Sequence, residues 1–238
     1  MNMKRVALIA LAGCSLWAAE PAGTFKQSVE LGYIGSTGNT DSQSFNGVYK
    51  NDYQYDEKTD MHTKVDILYG EKSGEKSDER YRLFYDVNHY YNGDVFTYGE
   101  ASALRNTFEG YNQQYNFGAG LGYNIFKDEK QFLKGKAGLQ YRRSNFTDEP
   151  SDNFYYLKGG LDYTYNMTND NQFTAKWDVL DNLKRVKDVE TVIDLGLKIL
   201  IVDKLSFRLG FELKYDNVPP VGKKKTDTTT TAGIVYSF

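Results

Sequence analysis

The chain has 238 residues, with 20 Tyr, 14 Phe and 22 Gly but only 4 Pro and a single Cys. One Cys excludes an internal disulfide framework and a zinc site built from several cysteines. The formal net charge of −3 gives no sign of nucleic-acid binding. A mean hydropathy of −0.62 is too polar for helical membrane spans. A membrane β-barrel is compatible with that value, because only alternate residues of its strands face lipid.

The first residues form a targeting segment, which we assign to residues 1–19 as a signal peptide. Two basic residues precede a short apolar run, Val6 to Ala12, that cannot cross a bilayer. Two processing routes stay open: cleavage by signal peptidase I near Ala18 or Ala19, and lipidation at Cys14. Both routes predict export, and the segment is left out of the fold.

From Phe25 onward the dominant sequence period is two, which is typical of β-strands. In residues 205–215, Leu, Phe and Tyr occupy every second position, and Ser, Arg, Gly, Glu and Lys occupy the others. About twelve such segments have the length of tilted membrane strands. Residues 95–108 give the least regular pattern. We therefore predict one domain over residues 25–238, an all-β, antiparallel, up-and-down transmembrane β-barrel of about 12 strands.

The predicted connections alternate in length. Short ones, such as Asp56 to Thr59 and Val202 to Lys204, alternate with longer polar ones, such as Glu71 to Glu79 and Asn217 to Asp227. Outer-membrane barrels have short periplasmic turns and longer outer loops, so an even strand number places both termini in the periplasm. The pair Gly38–Asn39 predicts a tight turn in the first outer loop. No loop is long enough to predict a constriction folded into the pore.

The C-terminal segment indicates the outer membrane. Ala232, Ile234, Tyr236 and Phe238 share one face of the last predicted strand, which stops on an aromatic residue. This ending resembles the signal read by the barrel assembly machinery, which is therefore a predicted partner during insertion. Together with the export segment, it predicts a location in the bacterial outer membrane. The soluble alternative is a periplasmic β-sandwich or lipocalin-like binder, in which the same period would divide core from solvent.

The alternation divides the predicted strands into two faces. The face predicted to line the lumen carries both signs of charge, and its candidates are Lys64, Asp66, Arg82, Asp86, Lys134, Lys136, Arg142, Lys158, Asp162, Lys176, Asp178, Lys198, Arg208 and Glu212. The face predicted to contact lipid is apolar, and its candidates are Leu121, Leu139, Leu161, Trp177, Leu197, Leu209, Phe211, Ile234, Tyr236 and Phe238.

Two functions are compatible with a charged lumen. The first is a narrow channel for small solutes, in which inward Lys and Arg set a weak preference for anions or oligosaccharides. The second is a non-conducting structural or adhesive barrel, whose inward charges pair into a salt-bridged interior. The sequence leaves both open and names no solute.

The sequence does not predict an enzyme. It contains no phosphate-binding glycine loop, zinc spacing or EF-hand pattern, and we predict no cofactor. Its histidines are His62, predicted to face the lumen, and His89, predicted to face lipid near a periplasmic turn. A barrel hydrolase would need its histidine near the outer leaflet, beside an outward serine, and the sequence offers none at His89.

The last predicted outer loop carries a basic patch, Lys223 to Lys225, after two prolines. Two interpretations stay open: a solvated loop, and a contact with lipopolysaccharide phosphates, which attract lysine electrostatically. The predicted partners are accordingly outer-membrane lipid, including lipopolysaccharide, and not nucleic acid. We predict a monomer.

Three stretches resemble a known family. They are Leu31-Gly32-Tyr33 leading into Gly38-Asn39-Thr40-Asp41, Tyr215-Asp216-Asn217 followed by Pro219-Pro220 and Lys224-Lys225-Thr226-Asp227-Thr228, and the ending Val235-Tyr236-Ser237-Phe238. In this order they are similar to the family of salt-induced outer membrane proteins, a domain family without an assigned function. The resemblance runs from Phe25 to Phe238 and implies a barrel. It implies no catalytic or ligand-binding residues.

Overall fold

The structure is a computed structural model that describes residues 23–38, 42–72, 75–91 and 93–238. The predicted targeting segment, with its two processing routes, lies outside these residues, and so does Asn39 of the predicted turn. None of the described residues belongs to a helix that is long and apolar enough to cross a membrane. The described strands, numbered in chain order, are β1 (Phe25–Thr37), β2 (Ser42–Asp56), β3 (Thr59–Lys72), β4 (Glu75–Tyr90), β5 (Val95–Asn106), β6 (Tyr111–Lys127), β7 (Gln131–Phe146), β8 (Asp152–Asn166), β9 (Gln172–Asn182), β10 (Val189–Val202), β11 (Leu205–Asp216) and β12 (Thr226–Ser237).

Each strand pairs antiparallel with its neighbours in sequence, and the pairing of β1 with β12 closes the barrel. Beyond the end of β12, the backbone N–H of Phe238 donates to the carbonyl O of Gln27 at 2.9 Å, and the N–H of Gln27 donates to the carbonyl O of Phe238 at 3.2 Å. The last residue therefore takes part in the seam. Closure leaves no open sheet edge in a bilayer, where unpaired backbone groups are costly. The predicted fold of twelve antiparallel strands is confirmed.

The two faces of the wall follow the alternation of the sequence. Outward aliphatic side chains are exposed, for example Leu121 at 63 % and Leu139 at 61 %. Inward carboxylates are buried, for example Glu30 at 3 % and Asp66 at 2 %. A water-soluble barrel would place the apolar face inside and the charges outside. The observed distribution is the reverse of that, and it suits a barrel surrounded by lipid.

Strand β5 gave the least regular sequence pattern, and its neighbours explain why. Its inward side carries Phe96 and Tyr98, which are almost fully buried, so apolar side chains occur on both of its faces. The adjoining strand β6 presents glycines to them. A Cβ added at Gly122 would collide with the Phe96 ring, and one added at Gly120 would lie 2.8 Å from Tyr98 Cε1. These glycines leave the space in which the two rings lie against the inner wall.

We call the end of the barrel where β1 begins and β12 ends the end with the termini. The connections there are short, such as residues 57–58 and 203–204. At the opposite end the predicted length of one loop was wrong. Residues Glu71 to Glu79 were expected to form a long polar loop, but β3 continues to Lys72 and β4 begins at Glu75. The two strands stay paired through a register shift next to Gly70. A strand that extends beyond the bilayer enters water, so charged residues do not end it there.

The connection between β11 and β12, residues 217–225, crosses the outer mouth, and we call it the lid loop. Strands β11 and β5 are six strands apart around the barrel of twelve. Nevertheless, Lys223 Nζ donates to the carbonyl O of Phe108, just after β5, at 2.7 Å. The Val221 N–H donates to Glu149 Oε1, between β7 and β8, at 2.6 Å. The expectation that no loop constricts the pore was therefore wrong, because a loop of moderate length lies across the mouth.

The lid loop also contains the basic patch predicted to contact lipopolysaccharide. Lys223 is directed across the mouth towards Phe108. Lys225 Nζ donates to Asn217 Oδ1 within the loop at 2.8 Å. These two lysines therefore stabilise the loop. Contact of the patch with lipopolysaccharide stays a prediction.

Candidate functional site: the lumen of the barrel

The barrel encloses a series of adjoining cavities. One of about 190 Å³ lies below the lid loop, and the central cavity has about 530 Å³. Two more, of about 120 and 190 Å³, lie towards the end with the termini. Arg142 and Lys214 line both of the first two cavities, Lys134 lines the central cavity and the third, and Arg208 lines the central cavity and the fourth. The shared lining residues make these cavities neighbours along the barrel.

The structure brings the predicted lumen residues together. All fourteen candidates line at least one of the internal cavities. Of the ten residues predicted to face lipid, nine are exposed. The tenth, Leu197, is half-buried where it pairs with Phe173 on one side and Leu209 on the other. Contact of this outer face with lipid itself stays a prediction.

A group of charges crosses the barrel, and we call it the cross-lumen cluster: Asp66 and Arg80, which are buried, and Arg82 and Glu212, which are partly buried. Arg80 Nε donates to Asp66 Oδ1 at 2.9 Å and Arg80 Nη1 donates to Glu212 Oε1 at 3.5 Å. Arg82 Nη1 donates to Glu212 Oε2 at 3.3 Å. The two arginines belong to β4 and the glutamate to β11, five strands away around the barrel. The cluster therefore narrows the lumen in the half of the barrel below the lid loop.

Most other inward cations are paired as well. Salt bridges join Arg142 to Glu190, Lys158 to Glu100, Lys136 to Asp86, Arg208 to Glu30, Lys176 to Asp178 and Lys214 to Glu109. The first three of these pairs join strands that are three apart around the barrel. These salt bridges span part of the lumen and restrict its width further. They also hold the long side chains in fixed positions.

Sequence reasoning missed Arg80 and Glu190, and also Glu109, which follows β5 and pairs with Lys214. Arg80 directly follows the polar segment that was expected to be a loop. Glu190, at the start of β10, receives hydrogen bonds from Arg142 Nη1 and from the Tyr156 hydroxyl, the latter at 3.0 Å. Arg80 and Glu190 lie on the inward alternation of their strands. Extending the period of two by two or three residues at the strand ends would have identified both.

The two histidines lie towards the end with the termini. The Nδ1 atom of His62 faces carboxylate oxygens inside the barrel, 3.4 Å from Asp86 and 3.7 Å from Asp60. His89 is exposed on the outer surface, and its Nδ1 lies 3.0 Å from the Thr59 hydroxyl. His62 thus contributes to the charged wall, and His89 contacts a threonine of the neighbouring strand.

Three carboxylates gather at the outer end of the barrel. The oxygens of Asp188, Glu190 and Asp216 lie within 4.8 Å of one another. Asp188 belongs to the loop between β9 and β10 and accepts a hydrogen bond from Asn182 Nδ2 at 2.7 Å. Burial raises the pKa of the Asp188 carboxyl, and the neighbouring Glu190 acts in the same direction. The folded loop therefore favours the protonated form of Asp188.

This environment predicts a pH-dependent effect of Asp188→Asn. A carboxyl with a raised folded pKa supports folding fully below its unfolded pKa of about 3.9, and that support is lost as pH rises through the folded value. We expect the substitution to stabilise the barrel at pH 7 by no more than about 1 kcal/mol, and to change little at pH 3. Urea-unfolding midpoints at the two pH values measure this, with Asp170→Asn in an exposed turn as the control. Equal gains at both pH values would contradict the prediction.

Comparison with known proteins places the chain in a family. A family model described as "Protein of unknown function, DUF481" matches residues 29–238. The chain belongs to this family. It is 23% identical over 230 residues to "Uncharacterized protein YdiY" of Escherichia coli (strain K12). The alignment covers 90% of this chain and 83% of YdiY. These matches confirm the family predicted from the sequence, and they assign no activity to it.

Solved outer-membrane proteins share the fold. The NanC porin aligns with a TM-score of 0.60 at 6% identity, over 87% of this chain and 98% of its own. The translocator domain of NalP from Neisseria meningitidis aligns with a TM-score of 0.54 at 13% identity, over 92% of this chain and 90% of the domain. The COG4313 outer membrane channel from Pseudomonas putida F1 aligns with a TM-score of 0.52 at 12% identity, over 94% of this chain and 98% of the channel. At such identities the likeness establishes the fold alone. That fold is a porin-like β-barrel of the kind found in outer-membrane proteins, as predicted, and the predicted location in the outer membrane agrees with it.

Proposed function

We propose that this barrel is a narrow, weakly selective channel for small solutes. The observation that carries the proposal is the series of adjoining cavities between the lid loop and the end with the termini. The central cavity, about 530 Å³, falls in the size range of small-molecule sites. Twelve strands also enclose more space than the eight of barrels that side chains fill completely.

The lining charges support weak selectivity. Inward Lys and Arg alternate with inward Asp and Glu, and most of the described cations are in salt bridges. Paired charges present a weaker field to a passing ion than unpaired ones. A polar lumen with charges of both signs suits small hydrophilic solutes, and rings of Lys and Arg favour anions.

A second function is favoured by one observation. The cross-lumen cluster and the lid loop both cross the bore, as they would in a non-conducting structural or adhesive barrel. Swelling of liposomes that contain the refolded chain, in neutral sugars of increasing size, separates the two functions. We expect swelling with pentoses and hexoses that falls off for trisaccharides. Absence of swelling with every sugar would support the second function and contradict the channel.

Removal of the lid loop is expected to increase conduction. Replacement of residues 218–224 by two glycines removes the segment that crosses the mouth and keeps β11 and β12. The unitary conductance in planar bilayers should rise above that of the wild type. Lys223→Met, which removes one positive charge and the hydrogen bond to Phe108 but keeps the loop, should give a smaller rise.

The control for this prediction is Lys187→Met. It removes the same charge from another outer loop, at an exposed position, and should leave conductance unchanged. A lidless variant with the conductance of the wild type would show that the lid loop does not limit the current.

A further inference from the structure

Two lysines stand directly opposite each other on the inner wall. Lys50 of β2 pairs in register with Lys64 of β3, and both line the central cavity. Like charges directly opposite on neighbouring strands destabilise a sheet. This pair is therefore unfavourable by itself, and an anion between the two ammonium groups would relieve the repulsion.

The two lysines lack the carboxylate partners that most other inward cations have. Nearby, Arg82 is paired with Glu212 at 3.3 Å, and Arg208 is paired with Glu30 at 3.3 Å. The side-chain ammonium groups of Lys50 and Lys64 form no salt bridge or hydrogen bond with any part of the chain that the structure describes. Their ammonium groups thus face the cavity without a direct ion pair to a described residue.

The wall around the pair adds further donors. Arg82 and Arg208 line the same cavity as the two lysines. Arg208 contacts Glu30 only through Nη1, which leaves its Nη2 for another acceptor. One carboxylate of this cavity, Asp194, likewise forms no salt bridge with a described residue. With Lys50 and Lys64 outside salt bridges and only Asp194 as an unbridged carboxylate, this part of the central cavity carries an excess of positive charge.

We propose that the Lys50–Lys64 pair is the binding site of the channel for a small anion that bears a carboxylate or phosphate group. Side chains directly opposite on antiparallel strands have Cβ atoms about 5 Å apart, so both ammonium groups can converge on one oxyanion. Lysine binds such groups as a compact point charge, and a neighbouring guanidinium can add hydrogen bonds. The inference rests on the proposed function and names its class of solute.

Isothermal titration calorimetry on the refolded full chain tests the site, with inorganic phosphate in one arm and acetate in the other at constant ionic strength. We expect saturable binding. Lys50→Gln and Lys64→Gln should each weaken it by about tenfold or more, since each removes a charge-assisted hydrogen bond. Lys50→Arg should retain most of the affinity, and Asp194→Asn should increase it. Binding in one arm alone identifies which of the two oxyanions the site accepts.

The matched control is Lys134→Gln. Lys134 lines the same central cavity from the other side of the barrel, so its loss changes the net charge equally and leaves the pair intact. Equal weakening by all three glutamine variants would overturn the site, because only the general field would then matter. Lack of saturable binding in both arms would overturn it as well. Current steps without such binding contradict this site alone, and binding that depends on the pair without any current contradicts only the channel.

Discussion

Glu212→Gln is expected to destabilise the barrel by about 3–5 kcal/mol, the usual effect of removing one partner from a buried ion pair. The carboxylate lies 3.5 Å from Arg80 Nη1, 3.3 Å from Arg82 Nη1 and 3.7 Å from Lys214 Nζ. Arg80 and Asp66 are almost excluded from solvent, with side-chain exposures of 5% and 3%. After the substitution, two guanidinium groups share the single carboxylate of Asp66.

Urea titration of the refolded barrel in lipid vesicles measures this loss. Glu129→Gln, in the exposed turn between β6 and β7, is the control and should leave the midpoint unchanged. The double variant Arg80→Met with Glu212→Met should lose less than Glu212→Gln alone. It keeps Arg82 near Asp66, at 3.8 Å, and removes one unpaired charge. A Glu212→Gln midpoint equal to that of the control would refute the role of the cluster.

Leu209→Arg is expected to cost about 2–4 kcal/mol, the penalty for arginine on the lipid face near the bilayer midplane. Leu209 is 41 % exposed. It lies near the middle of β11, between Leu197 and Ala232 of the neighbouring strands. An arginine at this position must place its guanidinium in hydrocarbon or bend towards an interface.

Val192→Arg provides the matched comparison. Val192 lines the central cavity, and its register partners are Lys214 on β11 and Asp178 on β9. The new guanidinium meets water and a carboxylate there, so the loss of stability should be clearly smaller than for Leu209→Arg. Refolding yields and urea midpoints in vesicles measure both variants. Equal losses would mean that the inner and outer faces are assigned wrongly.

The sequence predicted the strands best where chemistry differs most between the faces. On β11 the alternation of Leu209 and Phe211 with Arg208 and Glu212 is unambiguous, because lipid and lumen select opposite side chains. On β5 the inward Phe96 removes that contrast, and only the adjoining glycines of β6 account for it. Such packing between strands is not visible in the period of a single strand.

The networks across the lumen were less predictable. Which inward charges pair depends on the curvature of the wall, which brings Arg82 next to Glu212 from five strands away. The lid loop was missed for a related reason. Its reach depends on where β11 and β12 end relative to Phe108 on the opposite rim. Its two prolines, which fix their own backbone φ angles, were the available sign of a stiff and ordered loop.

Current recorded across a planar lipid bilayer that holds the refolded wild-type chain tests the central claim most directly. We expect discrete current steps of small size, because the cross-lumen cluster and the lid loop narrow the bore. Ion gradients should show a modest preference for anions. A bilayer that stays silent with both the wild-type chain and the lidless variant would contradict the proposed channel.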